Sequence, residues 1–239
     1  MTNDALARLS DLDPDRPVAL VTGGTSGIGR AIVDELRSTH QVVAVGRDAG
    51  RLAEVGGLDG VTPLALDLTA AEDFAAVAAA MARLDVLVHD AALVQRFSVA
   101  DATVDDWRAS FATNVIAPAE LSRVFLPHLA ATSGVVVFIS SGAARRSVPN
   151  STVYSASKHA LQALTDGLRQ QVSGDGIRVS TVAPGPTRTP LAEVSDRYGD
   201  KDPGVVRSEP ATVAKAVRFV VDAPADSQIS ELWVRPRSE

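Results

Sequence analysis

Cysteine is absent from the 239 residues, which excludes disulfides, a thiolate nucleophile and cysteine-ligated metal. Aromatic residues make up only 4%, so the core has to be built mostly from Ala, Val and Leu. There is no basic excess: 23 Lys and Arg stand against 29 Asp and Glu, a formal charge of −6. A nucleic-acid partner needs a basic face and is not expected. No apolar run is long enough to cross a bilayer, and the polar residues 1–17 lack the apolar core of a signal peptide. Neither a membrane nor export is expected, which leaves the cytoplasm. His40, His89, His128 and His159 are scattered without metal-ligand spacing, so no metal site is expected. What the chain has in quantity is apolar residues, 46%, ample for a packed core.

The most informative segment is Val18-Ala-Leu-Val-Thr-Gly-Gly-Thr-Ser-Gly-Ile-Gly29. An apolar strand breaks into a glycine-rich turn, and Arg30–Ser38 behind it reads as an amphipathic helix. Glycines let the backbone approach an anion, and a helix N-terminus points free N–H groups at it. The spacing Gly23, Gly27, Gly29 is G-x-x-x-G-x-G, and no Gly-Lys-Ser/Thr follows to grip a nucleoside triphosphate. A dinucleotide is the expected ligand.

Strands and helices alternate along the rest of the chain. Strands are expected at Val18–Val21, Gln41–Gly46, Thr62–Asp67, Asp85–His89, Val135–Ile139, Ile177–Val182 and Ile229–Val234. Helices are expected at Thr69–Arg83 with Thr69 as N-cap, at Thr103–Leu129 with a bend near Pro118, at Val153–Val172 and at Pro210–Val221. Near-continuous apolar strands alternating with helices predict an α/β fold, a doubly wound parallel sheet covered on both faces. The loops after Val21, Val45, Leu66, Val88, Ile139 and Ala183 then line one crevice at the carboxyl ends of the strands. A single domain over 1–239 is expected, with 1–16 a polar N-terminal extension and 189–209 a lid loop on the substrate side.

Tyr154-Ser-Ala-Ser-Lys158 places a phenol and an ammonium at i and i+4, on one helix face. A phenol titrates near 10, and a neighbouring ammonium is expected to lower it toward working range. Ser141 sits just past the fifth strand, at the crevice rim, where its hydroxyl can polarise a carbonyl oxygen; Ser140-Ser141-Gly142 also reads as an ordinary turn.

At this point the chain resembles the short-chain dehydrogenase/reductase family over almost its whole length. The glycine turn from Thr22 to Gly29, with Thr25, Ser26 and Ile28 between its glycines, is similar to the family's cofactor turn. Tyr154-x-x-x-Lys158 is similar to its catalytic pair, and Ser141 falls at its catalytic serine. Asn114, in Phe111-Ala-Thr-Asn-Val115, matches the helix asparagine of the tetrad, and Pro184-Gly185-Pro-Thr187 matches the loop that holds the nicotinamide carboxamide. Asp67-Leu68 matches the adenine pocket.

The resemblance implies a Rossmann-like sheet of about seven strands and hydride transfer between a nicotinamide and a carbonyl or secondary alcohol. Tyr154 is then the general acid and base. Lys158 lowers its pKa and binds the nicotinamide ribose, Ser141 orients the carbonyl, and Asn114 holds a water that links Lys158 to solvent.

Cofactor choice is read just after the second strand, at Val45-Gly46-Arg47-Asp48. Gly46 leaves space and Arg47 offers a planar fork suited to a 2′-phosphate, so NADP(H) is favoured over NAD(H). Asp48 either caps the next turn or takes the ribose hydroxyls of NAD; Asp67 has the same choice between a cap and the adenine. Two departures from the family pattern stand out. His89-Asp90-Ala91-Ala92 replaces Asn-Asn-Ala-Gly, putting a carboxyl at Asp90 beside the cofactor contact Ala91. Leu232-Trp-Val-Arg-Pro236 replaces the usual Val-Asp-Gly-Gly ending. Assembly as a homodimer through the two long helices, or as a homotetramer, is expected. The positive side chains Arg145, Arg146, Arg188, Arg197, Lys201 and Arg207 read as solvated charges or as contacts to an acidic substrate. The competing readings are an NAD-dependent alcohol dehydrogenase of the same fold, a non-catalytic dinucleotide-binding regulator, and a scaffolding subunit.

Overall fold

A computed structural model of the protein describes residues 2–147, 150–192 and 206–237. Its centre is a seven-stranded sheet, β1 Val18–Thr22, β2 Gln41–Gly46, β3 Val61–Ala65, β4 Val86–His89, β5 Val135–Ile139, β6 Arg178–Pro184 and β7 Glu231–Val234. The strand order is β3-β2-β1-β4-β5-β6-β7, and every pairing is parallel. Chain order reverses between β1 and β4, where Thr22 lies opposite His89. Two loops diverge there and leave a crevice.

Side chains alternate across each strand, and both faces are apolar. Val18, Leu20, Val136 and Phe138 enter one core layer; Ala19, Val21, Val135 and Val137 enter the other. The first layer is closed by α1 (Asn3–Ser10), α4 (Phe74–Ala80), α6 (Ala117–Thr132) and α7 (Thr152–Gln171), through residues such as Leu9, Phe74, Phe125 and Leu161. The second is closed by α2 (Gly27–Leu36), α3 (Ala49–Gly56) and α8 (Pro210–Val221), through Ile32, Val55, Val213 and Val217. Burial on both sides explains why the strands read as continuous apolar runs.

Three local expectations change. Within the polar 1–16 segment, α1 forms because Leu9 finds a buried place against the sheet, and Thr2 caps it by accepting from the Ala5 N–H. Thr69 does not cap a helix; its N–H and hydroxyl both donate to Asp67, at 2.9 and 2.8 Å, and α4 starts only at Phe74 after one 3₁₀ turn. The rod expected over Thr103–Leu129 is interrupted by a π turn at Ala112–Ile116, between α5 (Val104–Phe111) and α6, and not at Pro118. Pro118 lies in the first turn of α6, directly after the π turn. At the start of α5, Thr103 and Asp106 form a reciprocal capping box.

Candidate active site

At the end of β1 the chain turns through Gly23, at φ 70°, and Gly27, at φ 55°, both left-handed positions that favour glycine. A Cβ on Gly29 would collide with the Gly23 carbonyl, so the turn closes tightly on the first turn of α2. Ser26 stands at the N-cap of α2 without a side-chain capping bond, so its hydroxyl occupies none of the helix's leading N–H groups. Thr25, Ser26, Ile28, Arg47, Leu68 and Ala91 line that groove. A left-handed glycine cradle at an uncapped helix N-terminus fits the diphosphate of a dinucleotide.

The groove's far wall is pinned by a residue outside the set singled out from sequence. The Thr22 hydroxyl donates to the Val88 carbonyl and accepts from the N–H groups of Asp90 and Ala91, at 3.1 and 3.2 Å. The end of β1 therefore holds the loop after β4. Thr22 belongs to the glycine motif, but its hydroxyl's role depends on a strand 66 residues away.

At the other end of the groove, Asp48 accepts from the Arg51 N–H at 2.9 Å and caps α3. The capping alternative for Asp48 is the one realised. Asp67 likewise closes a turn onto Thr69; those bonds first, and the Arg47 charge less strongly, hold its carboxyl below the usual range. Arg47 and Arg51 both line this end.

A cluster of Ser141, Tyr154 and Lys158 forms where β5 ends. The Ser141 hydroxyl accepts from the Ala143 N–H at 3.1 Å, which realises the turn, and it draws the Tyr154 phenol's pKa down. One turn further along α7, the Lys158 ammonium donates to the Ile139 carbonyl at 2.9 Å and stands 5.8 Å from the centre of the Tyr154 ring. Ser141, Tyr154 and Lys158 line a second pocket continuous in sequence with the first, sharing Asp90, Ile28 and Ala92.

The expected lowering of the Tyr154 pKa is not what this arrangement produces. Burial pushes the phenol up, the Asp90 charge pushes it further, and the Ser141 hydrogen bond opposes them only in part. Lys158 acts on Asp90 instead. Desolvation raises the Asp90 carboxyl to about 7 against the pull of Lys158 and of the Gly29 N–H. Desolvation lowers Lys158 to about 8 against the pull of Asp90. The family-pattern departure at residue 90 thus puts a carboxyl beside the glycine turn whose charge acts on Lys158 and on the phenol. Its neighbour His89 stacks on Phe138, with centroids 4.7 Å apart, and meets the Ser122 hydroxyl at 3.0 Å. Burial holds that imidazole down at about 3.

Asn114 sits inside the π turn and is buried. Its amide accepts from the Leu93 N–H at 2.7 Å and donates to the Leu93 carbonyl and the Ser157 hydroxyl, both at 2.9 Å. It joins the loop after β4 to α7 one residue before Lys158. Pro184 ends β6, Gly185 donates to the Val234 carbonyl at 2.7 Å, and the Thr187 hydroxyl folds back onto Gly185. All three line the second pocket. Of the segment 189–209, Thr189 and Leu191 reach both pockets; Arg197, Lys201 and the rest of 193–205 lie outside the described residues. Arg188 pairs with Glu209 at 3.1 Å. Trp233 and Arg235 were not expected in the site, and they line the second pocket because β7 ends beside the Pro184–Thr187 loop.

Fold and groove define a dinucleotide-binding α/β protein with an acid–base cluster at its crevice. Residues 17–198 match the short chain dehydrogenase family. The chain is 31% identical over 232 residues to an uncharacterized oxidoreductase of Staphylococcus saprophyticus, covering 92% of this chain and 97% of that one. Among solved structures it is similar to a serine dehydrogenase complexed with NADP+, at 27% identity and a TM-score of 0.86, covering 93% of this chain and 96% of that one. It is also similar to a metagenomic short-chain oxidoreductase in complex with NADP, at 31% identity and a TM-score of 0.78, covering 94% and 99%. The chain belongs to the short-chain dehydrogenase/reductase family and is an NAD(P)-dependent oxidoreductase.

Proposed function

We propose that the protein transfers a hydride between NADP(H) and a carbonyl or secondary alcohol carbon, with Tyr154 as the proton donor and acceptor. The observation that carries this reading is that Ser141, Tyr154 and Lys158 line one pocket, and that this pocket shares residues with the groove that begins in the glycine turn. A bound nicotinamide supplies or accepts the hydride. The Tyr154 hydroxyl gives its proton to the carbonyl oxygen in reduction and recovers it in oxidation. Ser141 donates to the same oxygen and fixes its position. Lys158, anchored on the Ile139 carbonyl, contributes positive charge and donors toward the ribose. Asn114 holds the loop after β4 against α7, and with it the spacing between the Ala91 backbone and Lys158.

Preference for NADP(H) is supported by three features. Arg47 and Arg51 line the adenosine end of the groove, Asp48 is committed to the α3 cap, and two of the solved neighbours carry NADP. No helix among the described residues is long and apolar enough to cross a membrane, and a cytoplasmic enzyme suits that. Assembly as a homo-oligomer through the α5–α6 rod and α7 is supported by exposed Val104 and Ile116 on that rod, at 65% and 54% exposure. Fluorescence titration with NADPH and NADH, followed by turnover of NADPH with a ketone and aldehyde panel, tests the reading. Tighter NADPH binding and a turnover lost in Tyr154→Phe are expected. Binding with no turnover of any substrate would leave the regulator reading in its place.

A further inference from the structure

The mouth of the second pocket is unusually cationic for a protein of net charge −6. Arg96, Arg145, Arg146 and Arg235 reach it from three separate segments: the loop after β4, the turn after β5 and the end of β7. Among the described lining residues the one acid is Asp90, whose carboxyl lies beside Gly23 and Gly29 of the glycine turn. Arg145 is held at the rim by Glu231, at 2.9 Å.

Arg235 is placed differently. Its guanidinium lies over the Trp233 ring, 4.9 Å from the centroid, which fixes the plane of the fork. Both terminal nitrogens lie against Gly142: a Cβ there would come within 3.1 and 3.2 Å of them. Gly142 follows Ser141, which lines the same pocket as Tyr154. The absence of a side chain at 142 therefore brings a planar cation to within one residue of the reacting pair. A fork in that position suits an oxyanion with two acceptors, carboxylate or phosphate.

We propose that the substrate carries an anionic group a few atoms from its reacting carbon, as in a short oxo or hydroxy acid, and that Arg235 holds it against Trp233, with Arg145 and Arg146 adding positive field at the rim. This rests on the oxidoreductase reading for the reaction itself, but the anion site is defined by Arg235, Trp233 and Gly142 alone. Such a group anchors one end of the substrate, so that the carbonyl is presented to Ser141 and Tyr154 in one orientation.

Calorimetric titration of the protein, with and without saturating NADP+, tests the site without turnover. The probes are twins: 2-oxo and 3-oxo acids of three to five carbons beside their methyl esters, and dihydroxyacetone phosphate beside dihydroxyacetone. At least one anion is expected to bind tenfold or more tightly than its neutral twin. The gap should shrink below threefold in Arg235→Gln, persist in part in Arg235→Lys, and narrow in the wild type as salt rises. The acid and phosphate arms identify which oxyanion is held. Equal binding of both twins in every pair, or a gap that survives Arg235→Gln, overturns the proposal; the wild-type twin comparison decides it if the variants do not fold. Neutral ketones reduced with no anion gap count against the anion site alone. An anion gap with no NADPH oxidation on any probe, and none restored between Tyr154→Phe and wild type, counts against the oxidoreductase reading alone.

Discussion

Asp90 and Lys158 line the same pocket, and each draws the other toward its charged form. The loss of solvent outweighs that attraction for both, leaving a carboxyl near 7 and an ammonium near 8. Their protonation is thus balanced close to neutral pH.

A pH-dependent stability follows for Asp90. Its folded pKa lies above the unfolded range near 4, so the folded state holds the proton more tightly. The stabilisation is complete below about pH 4 and is lost as pH rises through 7. Asp90→Asn should leave the Tm at pH 4 nearly unchanged and raise stability at pH 8 by about 1–2 kcal/mol, a figure discounted for the counter-charge that Lys158 loses. Thermal unfolding from pH 4 to 8 measures it; a variant less stable than wild type at pH 8 would contradict the assignment.

His89 has the opposite sign. Its folded pKa is depressed, so its contribution is present above about 6.5 and lost as pH falls toward 3. Between about pH 4 and 6.5 the two neighbours offset each other. His89→Asn keeps a partner for Ser122, and its urea midpoint should fall less than that of the wild type between pH 7 and pH 4.5.

Arg47→Ala removes the side chain best placed for a 2′-phosphate. The Kd for NADPH should weaken about tenfold, the modest value suited to an exposed charge, while that for NADH moves less than about threefold. Equal losses for both nucleotides, read by fluorescence titration, would argue for an NAD enzyme.

Asn114→Ala strips the loop after β4 of its bonds to the Leu93 N–H and carbonyl. Leaving those backbone groups unpaired should cost about 1–3 kcal/mol. Hydrogen exchange at the Leu93 amide should accelerate, and kcat should fall as α7 loses the Ser157 tie, with a smaller change in KM.

The sheet was legible in the sequence because burial on both faces writes β1, β2, β4 and β5 as nearly unbroken apolar runs. Val135–Ile139 and Pro210–Val221 match the structure residue for residue. The helices α1 and α3 were missed for a physical reason: each buries only one or two residues, Leu9 in one and Leu52 with Val55 in the other, too few to show a period. In the site, local signals carried furthest. The glycine turn and the Tyr154–Lys158 spacing lie within single elements. What the sequence could not reveal depends on residues distant in the chain: Thr22 gripping the loop after β4, Arg235 reaching Gly142, and Lys158 spending its field on Asp90 instead of Tyr154.

The π turn at Ala112–Ile116 amounts to one surplus residue in an otherwise regular rod. It acts as a phase shifter. With it, Asn114 turns toward Leu93 while Leu121, Phe125 and Leu129 still meet the sheet. Excising a single residue there would restore ordinary winding and rotate one half of the rod against the other by about 100°, the angle of one residue in a 3.6-residue turn. Either the clamp or the packing would then be out of step, so this short segment tolerates substitution far better than deletion.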